Sequence, residues 1–197
     1  YFFDKKGYPI EKHLAELFFD IGDYQKIRFD FYDCASRLFL ESYTKQYYVW
    51  CNKNRIKMTG HLVAEDTMTA QVGRIGSAMP HYEFMHWPGI DKLGRSVDQP
   101  VTVKQLSSVA EQLGKERALC EAFGCIGQHT SFFHRKWIAD WMAVLGVNYI
   151  NPHLSLYSMR GERKRDYPPN FFYQQPWWEQ EKGFGDYIGR LCYAASK

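Results

Sequence analysis

The longest stretch of helical patterning in the chain runs from Tyr24 to Asn54. Apolar residues recur there at near-helical spacing, with charged residues between them and no proline or glycine. These apolar positions are Ile27, Phe31, Cys34, Leu38, Tyr43, Tyr47 and Trp50. We expect one long helix with a break near Glu41–Ser42, and Asp23 is its predicted N-cap.

Shorter apolar stretches predict buried strands that alternate with further helices. The predicted strands are Ile56–Val63, Glu83–Trp87, Arg117–Phe123 and Val147–Asn151. The second strand is closed by Pro88-Gly89, and a long loop over Asp66–Pro80 separates the first two. The predicted helices are Glu11–Phe19, Val103–Leu113, Phe132–Leu145 with Thr130 or Ser131 as its cap, and roughly Glu179–Ala195.

This alternation of strands and helices predicts an α/β fold, specifically a (β/α) TIM-type barrel. A doubly wound open sheet is the structural alternative, although no glycine-rich phosphate-binding motif follows any strand. At 197 residues the chain is shorter than the roughly 250 residues of a complete eight-stranded barrel. We therefore expect residues 1–197 to form part of one barrel domain, about four βα units, within a larger protein.

Composition narrows the classes of partner. With 25 basic and 22 acidic residues the charge is nearly balanced, so neither a nucleic acid nor a membrane partner is expected. Five scattered cysteines without metal-binding spacing favour buried thiols in a reducing, cytoplasmic compartment. Aromatic residues make up 17% of the chain, which fits either a large core or sugar-stacking platforms, and composition alone favours neither.

Carboxylates stand at or just past the ends of three successive predicted strands, at Glu65, Asp91 and Glu121. Parallel strands deliver their carboxyl ends to one edge of a barrel, where its active sites lie. Glycoside hydrolysis needs a pair of such groups, one to protonate the leaving oxygen and one to attack the sugar or activate water. The alternative for each residue taken singly, and the more frequent one, is a helix cap or an ion-pair partner.

Other polar and aromatic residues near the same strand ends are candidates for substrate binding. His61, Asn151 and His153 could orient sugar hydroxyls, although a single histidine there is more often a hydrogen-bonded rim residue. Candidates for stacking or for binding acidic groups, each weighed against simple packing or a solvated loop, are Trp87, Tyr157, Trp177, Trp178, Arg160, Arg163, Lys164 and Arg165. Cys120 should point away from Glu121 by strand alternation, which argues against a nucleophilic role.

Several segments resemble a known family. The stretches TGHLVAED, PGIDKLGR, LGKERALCEAFG and KWIADWMAVLGVNYINPHLSLYSMRGERKRDYPP are similar to the central barrel of large bacterial enzymes of glycoside hydrolase family 106, the α-L-rhamnosidases. The resemblance implies a carbohydrate substrate and acid-base hydrolysis without an organic cofactor, and it leaves calcium open. It matches catalytic glutamates to Glu65 and Glu121, and a further carboxylate to either Glu83 or Asp91. It also implies another catalytic glutamate upstream of the segment that matches Phe2–Pro9.

We therefore hypothesise that the chain forms part of a glycoside hydrolase barrel, with Glu65, Glu121 and Asp91 as its catalytic carboxylates. One alternative is a non-catalytic carbohydrate-binding barrel or pseudoenzyme. Another is a metal-dependent hydrolase built on His61, Glu65, Asp91 and His153, although no metal-ligand spacing supports it. An incomplete barrel has open sheet edges, so we also expect self-association.

Overall fold

Four parallel strands form the centre of the molecule, which a computed structural model describes over residues 1–197. They are β1 (Thr59–Gly60), β2 (Trp87–Lys92), β3 (Leu119–Ala122) and β4 (Tyr149–Pro152), in chain order across the sheet. Each pairs in parallel with the next. The predicted α/β class with parallel strands is therefore confirmed. The sheet is open, and its closure into a barrel stays a prediction.

Eight α-helices surround or precede the strands. They are α1 (Phe2–Lys6), α2 (Tyr24–Phe39), α3 (Lys45–Lys53), α4 (Met68–Arg74), α5 (Met79–Glu83), α6 (Pro100–Gln112), α7 (Phe132–Val144) and α8 (Glu181–Ala195). Short 3₁₀ turns cover Ile10–His13, Ala15–Leu17, Gly161–Arg165 and Trp178–Gln180. None of the helices combines the length and hydrophobicity that a bilayer crossing requires.

The long amino-terminal helical pattern forms as predicted, including its break. A π-turn at Leu40–Thr44 separates α2 from α3. Thr44 in this turn is buried, and its Oγ1 lies 2.6 Å from Nδ1 of the buried His81. Asp23 is the N-cap residue of α2, as predicted, although its side chain makes no capping hydrogen bond.

Two predicted elements before β2 are wrong. The loop predicted over Asp66–Pro80 contains α4 and the start of α5. The strand predicted over Glu83–Trp87 begins only at Trp87 and runs through Pro88-Gly89 to Lys92. Proline and glycine are tolerated in this strand because Pro88 lies near its start and Gly89 lets β1 approach closely. A Cβ atom at Gly89 would lie 2.6 Å from the carbonyl oxygen of Gly60.

The remaining differences are at element boundaries. The strand predicted over Ile56–Val63 is reduced to Thr59–Gly60, and the helix predicted over Glu11–Phe19 forms two 3₁₀ turns. Helix α7 agrees with the prediction and begins at the predicted cap, where the Ser131 hydroxyl accepts the His134 N–H at 3.3 Å.

The core lies on the face of the sheet that packs against the helices. Ile90 of β2 and Cys120 of β3 are fully buried there, and α6 and α7 contribute Leu106 and Ile138. The neighbouring strand positions, Asp91 and Glu121, alternate to the other face. The core face thus holds the strands rigidly and leaves their carboxylates on the opposite side.

A buried arginine joins α7 to α8. Arg135 is 1% exposed and donates both terminal nitrogens to the Glu181 carboxylate, at 2.8 and 2.7 Å. Four aromatic rings surround its guanidinium at 4.4 to 4.7 Å. These rings belong to Phe132, Phe171, Trp177 and Phe184. Trp177, a candidate for sugar stacking, therefore packs against this arginine.

Candidate active site

Asp91 and Glu121 are register partners at the carboxyl ends of β2 and β3, and Glu121 pairs in turn with Asn151 of β4. Residues paired across adjacent parallel strands lie about 4.8 Å apart and point to the same face. The sheet therefore brings two carboxylates and one amide into a row. Cys120 is fully buried on the other face, where burial raises the pKa of its thiol, and it takes no part in this row.

Glu121 lies between two imidazoles. His61 Nε2 is 3.6 Å from Glu121 Oε2, and His153 Nε2 is 3.6 Å from Oε1. His61 directly follows β1, and His153 follows β4, where its N–H donates to the Ala122 carbonyl at 2.8 Å. The two outer strands thus each supply one histidine to the central carboxylate. A protonated imidazole on either side would stabilise the charge of Glu121.

Asp91 is half-buried, and its Oδ1 is shielded from solvent without a hydrogen-bond partner. Burial disfavours the charged carboxylate and so raises the pKa of Asp91. A shift towards the protonated form is the property that suits a carboxyl group to act as a general acid.

Glu65 lies beneath Asp91 and is only 3% exposed. Its Oε1 accepts hydrogen bonds from the Leu62 N–H at 3.0 Å and the Tyr82 hydroxyl at 2.7 Å. Its Oε2 accepts the Asp91 N–H at 3.3 Å. Burial raises the pKa of Glu65 to about 7, although these hydrogen bonds favour the charged form and oppose the rise. Its carboxyl group therefore holds the backbone of Asp91 in place.

The main chain of Glu65 is held just as firmly. Its carbonyl oxygen accepts hydrogen bonds from the side chains of Gln71, Thr102 and Gln105, at 3.1, 3.2 and 3.3 Å. These donors come from α4 and α6. Both helices thus fix the loop that carries Glu65 onto the end of β2.

An open pocket of about 360 Å³ lies beside these groups and is lined by His61, Glu65, Asp66 and Asp91 among others. A larger pocket, about 630 Å³, lies around Glu116 and Asn148, before the starts of β3 and β4. We place the candidate site at the smaller pocket because Asp91 and Glu65 line it, and Asp91 is paired in register with Glu121. The larger pocket is at the opposite end of the strands.

The remaining candidate residues lie in different environments. Asn151 is exposed beside Glu121, Arg160 is exposed in the segment after β4, and Tyr157 is 97% exposed there. Trp178 packs against Phe172 at a ring distance of 5.4 Å. No three His, Cys, Asp or Glu side chains are arranged so that they could hold a metal ion, so the four-residue metal alternative has no ligand set.

Trp87 is not brought to the carboxylates, which corrects the expectation that it stacks on substrate there. It begins β2, so it lies at the amino end of the sheet. Its Nε1 donates to Glu116 at 3.1 Å, and the Lys57 ammonium lies 4.9 Å from its ring centre. The error follows from predicting a strand that ends at Trp87, whereas the observed strand begins there.

Two residues of the site were missed by the sequence analysis. Tyr82 is fully buried and donates to Glu65, but it lies in a segment that carries no clear strand or helix pattern. Lys92 is 3% exposed, and its ammonium donates to the Leu93 carbonyl at 2.9 Å. A lysine at the end of an apolar strand carries no signal of burial in its sequence context.

Comparison with known proteins gives a likeness at the level of fold. No family model and no curated protein sequence matches the chain. Among solved structures, a rhamnosidase from Novosphingobium sp. PP1Y superposes with a TM-score of 0.79 over 100% of this chain, at 16% identity. The chain spans about a fifth (20%) of that protein's length. The two share an α/β arrangement of parallel strands and helices.

Proposed function

We propose that this chain forms part of a glycoside hydrolase that cleaves O-glycosidic bonds with Asp91 and Glu121 as its paired carboxylates. The observation that carries the proposal is their pairing in register at the carboxyl ends of β2 and β3, where Asp91 also lines an open pocket. Glycoside hydrolysis needs two carboxyl groups in different protonation states, one on each side of the scissile bond.

The environments of the two groups support different roles. Burial raises the pKa of Asp91 and favours its protonated form, which suits protonation of the leaving oxygen. Glu121 has an imidazole 3.6 Å from each oxygen, which suits a charged nucleophile or base. A negative Glu121 would also stabilise the positive charge that develops on the sugar.

Glu65, predicted as a catalytic carboxylate, is assigned a positioning role in this proposal. Its carboxyl group is almost fully enclosed and accepts the Asp91 N–H, so it acts on the reaction through Asp91. Asn151, His61 and the exposed Tyr157 and Arg160 remain the groups proposed to contact sugar hydroxyls.

An α-L-rhamnoside is the proposed substrate. The sequence segments that resemble family 106 enzymes and the rhamnosidase-like fold both support this choice. Because the chain spans 20% of that neighbour, the activity is proposed for the complete protein that contains it.

The test is an assay of the complete protein and of the 197-residue chain against nitrophenyl glycosides that include α-L-rhamnoside. Asp91→Asn and Glu121→Gln should each lower kcat by about 10²- to 10⁴-fold in the complete protein. Glu83→Gln is the matched control, because Glu83 is exposed at the end of α5 and should leave turnover unchanged.

Turnover at wild-type rates in both carboxylate variants would disprove the assignment. Sugar binding by calorimetry without turnover of any glycoside would support the non-catalytic carbohydrate-binding alternative.

A further inference from the structure

A second pocket, about 400 Å³, opens at the amino end of α7, away from the paired carboxylates. It is lined by Gln128, Thr130, Phe132, Arg135 and Gln175 among others. Several hydrogen-bond donors at this pocket have no acceptor in the protein. We propose that it binds an oxyanion, namely the carboxylate, sulfate or phosphate group of a small ligand, beyond the function proposed for the carboxylates.

The helix terminus supplies free donors. The first N–H groups of an α-helix have no partner within the helix and carry partial positive charge. In α7 the N–H groups of His134 and Arg135 are taken by the Ser131 hydroxyl and carbonyl. Those of Phe132 and Phe133 have no acceptor. Such N–H groups bind anions readily.

Two buried side chains at the same pocket also have polar atoms without a partner. Thr130 is 3% exposed and Arg135 1% exposed, and neither Thr130 Oγ1 nor Arg135 Nε makes a hydrogen bond. Buried polar atoms in proteins nearly always have a partner, so two orphans at one pocket indicate a ligand that accepts hydrogen bonds. Glu181 accepts one hydrogen bond from each terminal nitrogen of Arg135, and Nε is the guanidinium nitrogen that has no partner.

The charge around the pocket favours a negative ligand. Gln128, which lines the pocket, donates to the Lys164 carbonyl at 2.8 Å, so the main chain of the turn Gly161–Arg165, which carries three basic residues, lies beside it. Arg95 contacts the lining residue His129 at 2.5 Å. Glu181 and Glu162 are paired with Arg135 and Arg165.

The experiment is calorimetric titration of the 197-residue chain with sodium sulfate, phosphate and acetate, at an ionic strength held constant with sodium chloride. Amide shifts of Thr130, Phe132 and Phe133 are followed by NMR in the same titrations. We expect saturable binding with shifts confined to these amides. Thr130→Val should weaken binding about tenfold by removing one hydrogen bond to a charged group.

Thr69→Val is the matched control, because Thr69 is exposed on α4 and makes no side-chain hydrogen bond there. Gln175→Glu is a second variant, which adds a negative charge at the pocket and should abolish binding. If circular dichroism shows that Thr130→Val is not folded, the affinity of Gln175→Glu tests the proposal in its place. Absence of saturable binding would overturn the proposal, and so would equal affinity in folded Thr130→Val and Thr69→Val.

A further set of ligands separates the sources of the oxyanion. Glucuronate bound more tightly than acetate, with no binding of glucose, would identify the carboxylate of an acidic sugar. Equal affinity for glucuronate and acetate would identify a free anion, and either result supports the site. This experiment measures anion binding and not turnover. Its result is therefore independent of whether the glycosidase proposal holds.

Discussion

Among the single residues of the molecule, Glu65 has the most deeply buried carboxyl group, and this group is hydrogen-bonded to the backbone of Asp91. It holds the Asp91 N–H, the Leu62 N–H and the Tyr82 hydroxyl at one point. In its charged form it satisfies these donors, whereas its burial favours the neutral form. Its protonation should therefore couple the stability of the fold to pH.

Glu65 should make the fold less stable as pH rises from about 4.5 to about 7. The ordinary pKa is 4.5 and the folded pKa about 7, so across this window the unfolded chain loses the proton while the folded chain keeps it. The free energy of unfolding then falls by at most about 1.4 kcal/mol per pH unit. Urea unfolding of the wild type and Glu65→Gln over this range should show that the variant lacks this slope.

The exposed Glu83→Gln variant is the control for that experiment and should retain the wild-type slope. A slope unchanged by Glu65→Gln would show that another group titrates in this window.

The sequence marks Asp91 and Glu121 as candidates because each carboxylate stands at or just past the end of a predicted strand. It does not suggest the positioning role proposed for Glu65, since that role depends on Tyr82 of α5 and on the N–H of Asp91 in β2, which are distant in the chain. Contacts between distant residues leave no periodicity. A strand-end glutamate that supports the site therefore looks in sequence like one that performs the chemistry.

At the scale of elements, the approach of β1 to β2 depends on the absence of a side chain at Gly89. Gly89→Ala should lower the free energy of unfolding by about 1–3 kcal/mol, because the added methyl group overlaps the Gly60 carbonyl at 2.6 Å. Gly60→Ala is the matched control, since its Cβ would meet no atom within 4 Å. Equal stability of the two variants in urea would contradict this account of the strand contact.

The packing of α8 against α7 depends on the ion pair between Arg135 and Glu181. Glu181→Gln should destabilise the fold by about 3–5 kcal/mol, because it leaves a buried guanidinium without its counter-charge. Asp186→Asn, which removes an exposed ion pair with Lys182 on the same helix, should cost far less. The free energy of unfolding of both variants is measured by chemical denaturation. Equal losses of stability in the two variants would contradict this ranking.

Helices and strands that are marked by residues close in sequence could be predicted, and those that depend on contacts between distant residues could not. Helix α7 begins at a capping serine and continues with apolar residues at helical spacing, so its start was predicted to the residue. Strand β2 runs through Pro88-Gly89, a pair that normally ends a strand. Its existence depends on the close approach of Gly60, which the sequence around Gly89 does not record.

At the scale of the whole molecule, the sheet is open at β1 and β4. Whether such a sheet closes depends on strands that pair at these edges, so four strand patterns in sequence predict the class but not the closure. Open edges carry unpaired backbone groups that can pair with another chain.

We therefore predict that the 197-residue chain self-associates through these edges. Light scattering should show a mass that rises with concentration. Tyr149→Lys, which places a charge on the edge strand β4, should shift the protein towards monomer. Tyr157→Lys, at a 97% exposed position outside the sheet, should not. A monodisperse monomer at every concentration would contradict the prediction.

The π-turn at Leu40–Thr44 is a position at which the helix can lose a residue without a change in its packing. A π-turn holds one residue more than the α-helical turn that it replaces. Loss of one residue between Leu40 and Tyr43 would therefore restore a continuous helix and leave Thr44 opposite His81. Loss of a residue elsewhere in α2 would rotate all that follows by about 100°. This turn is thus a point at which one residue can be removed without rotating one half of the helix against the other.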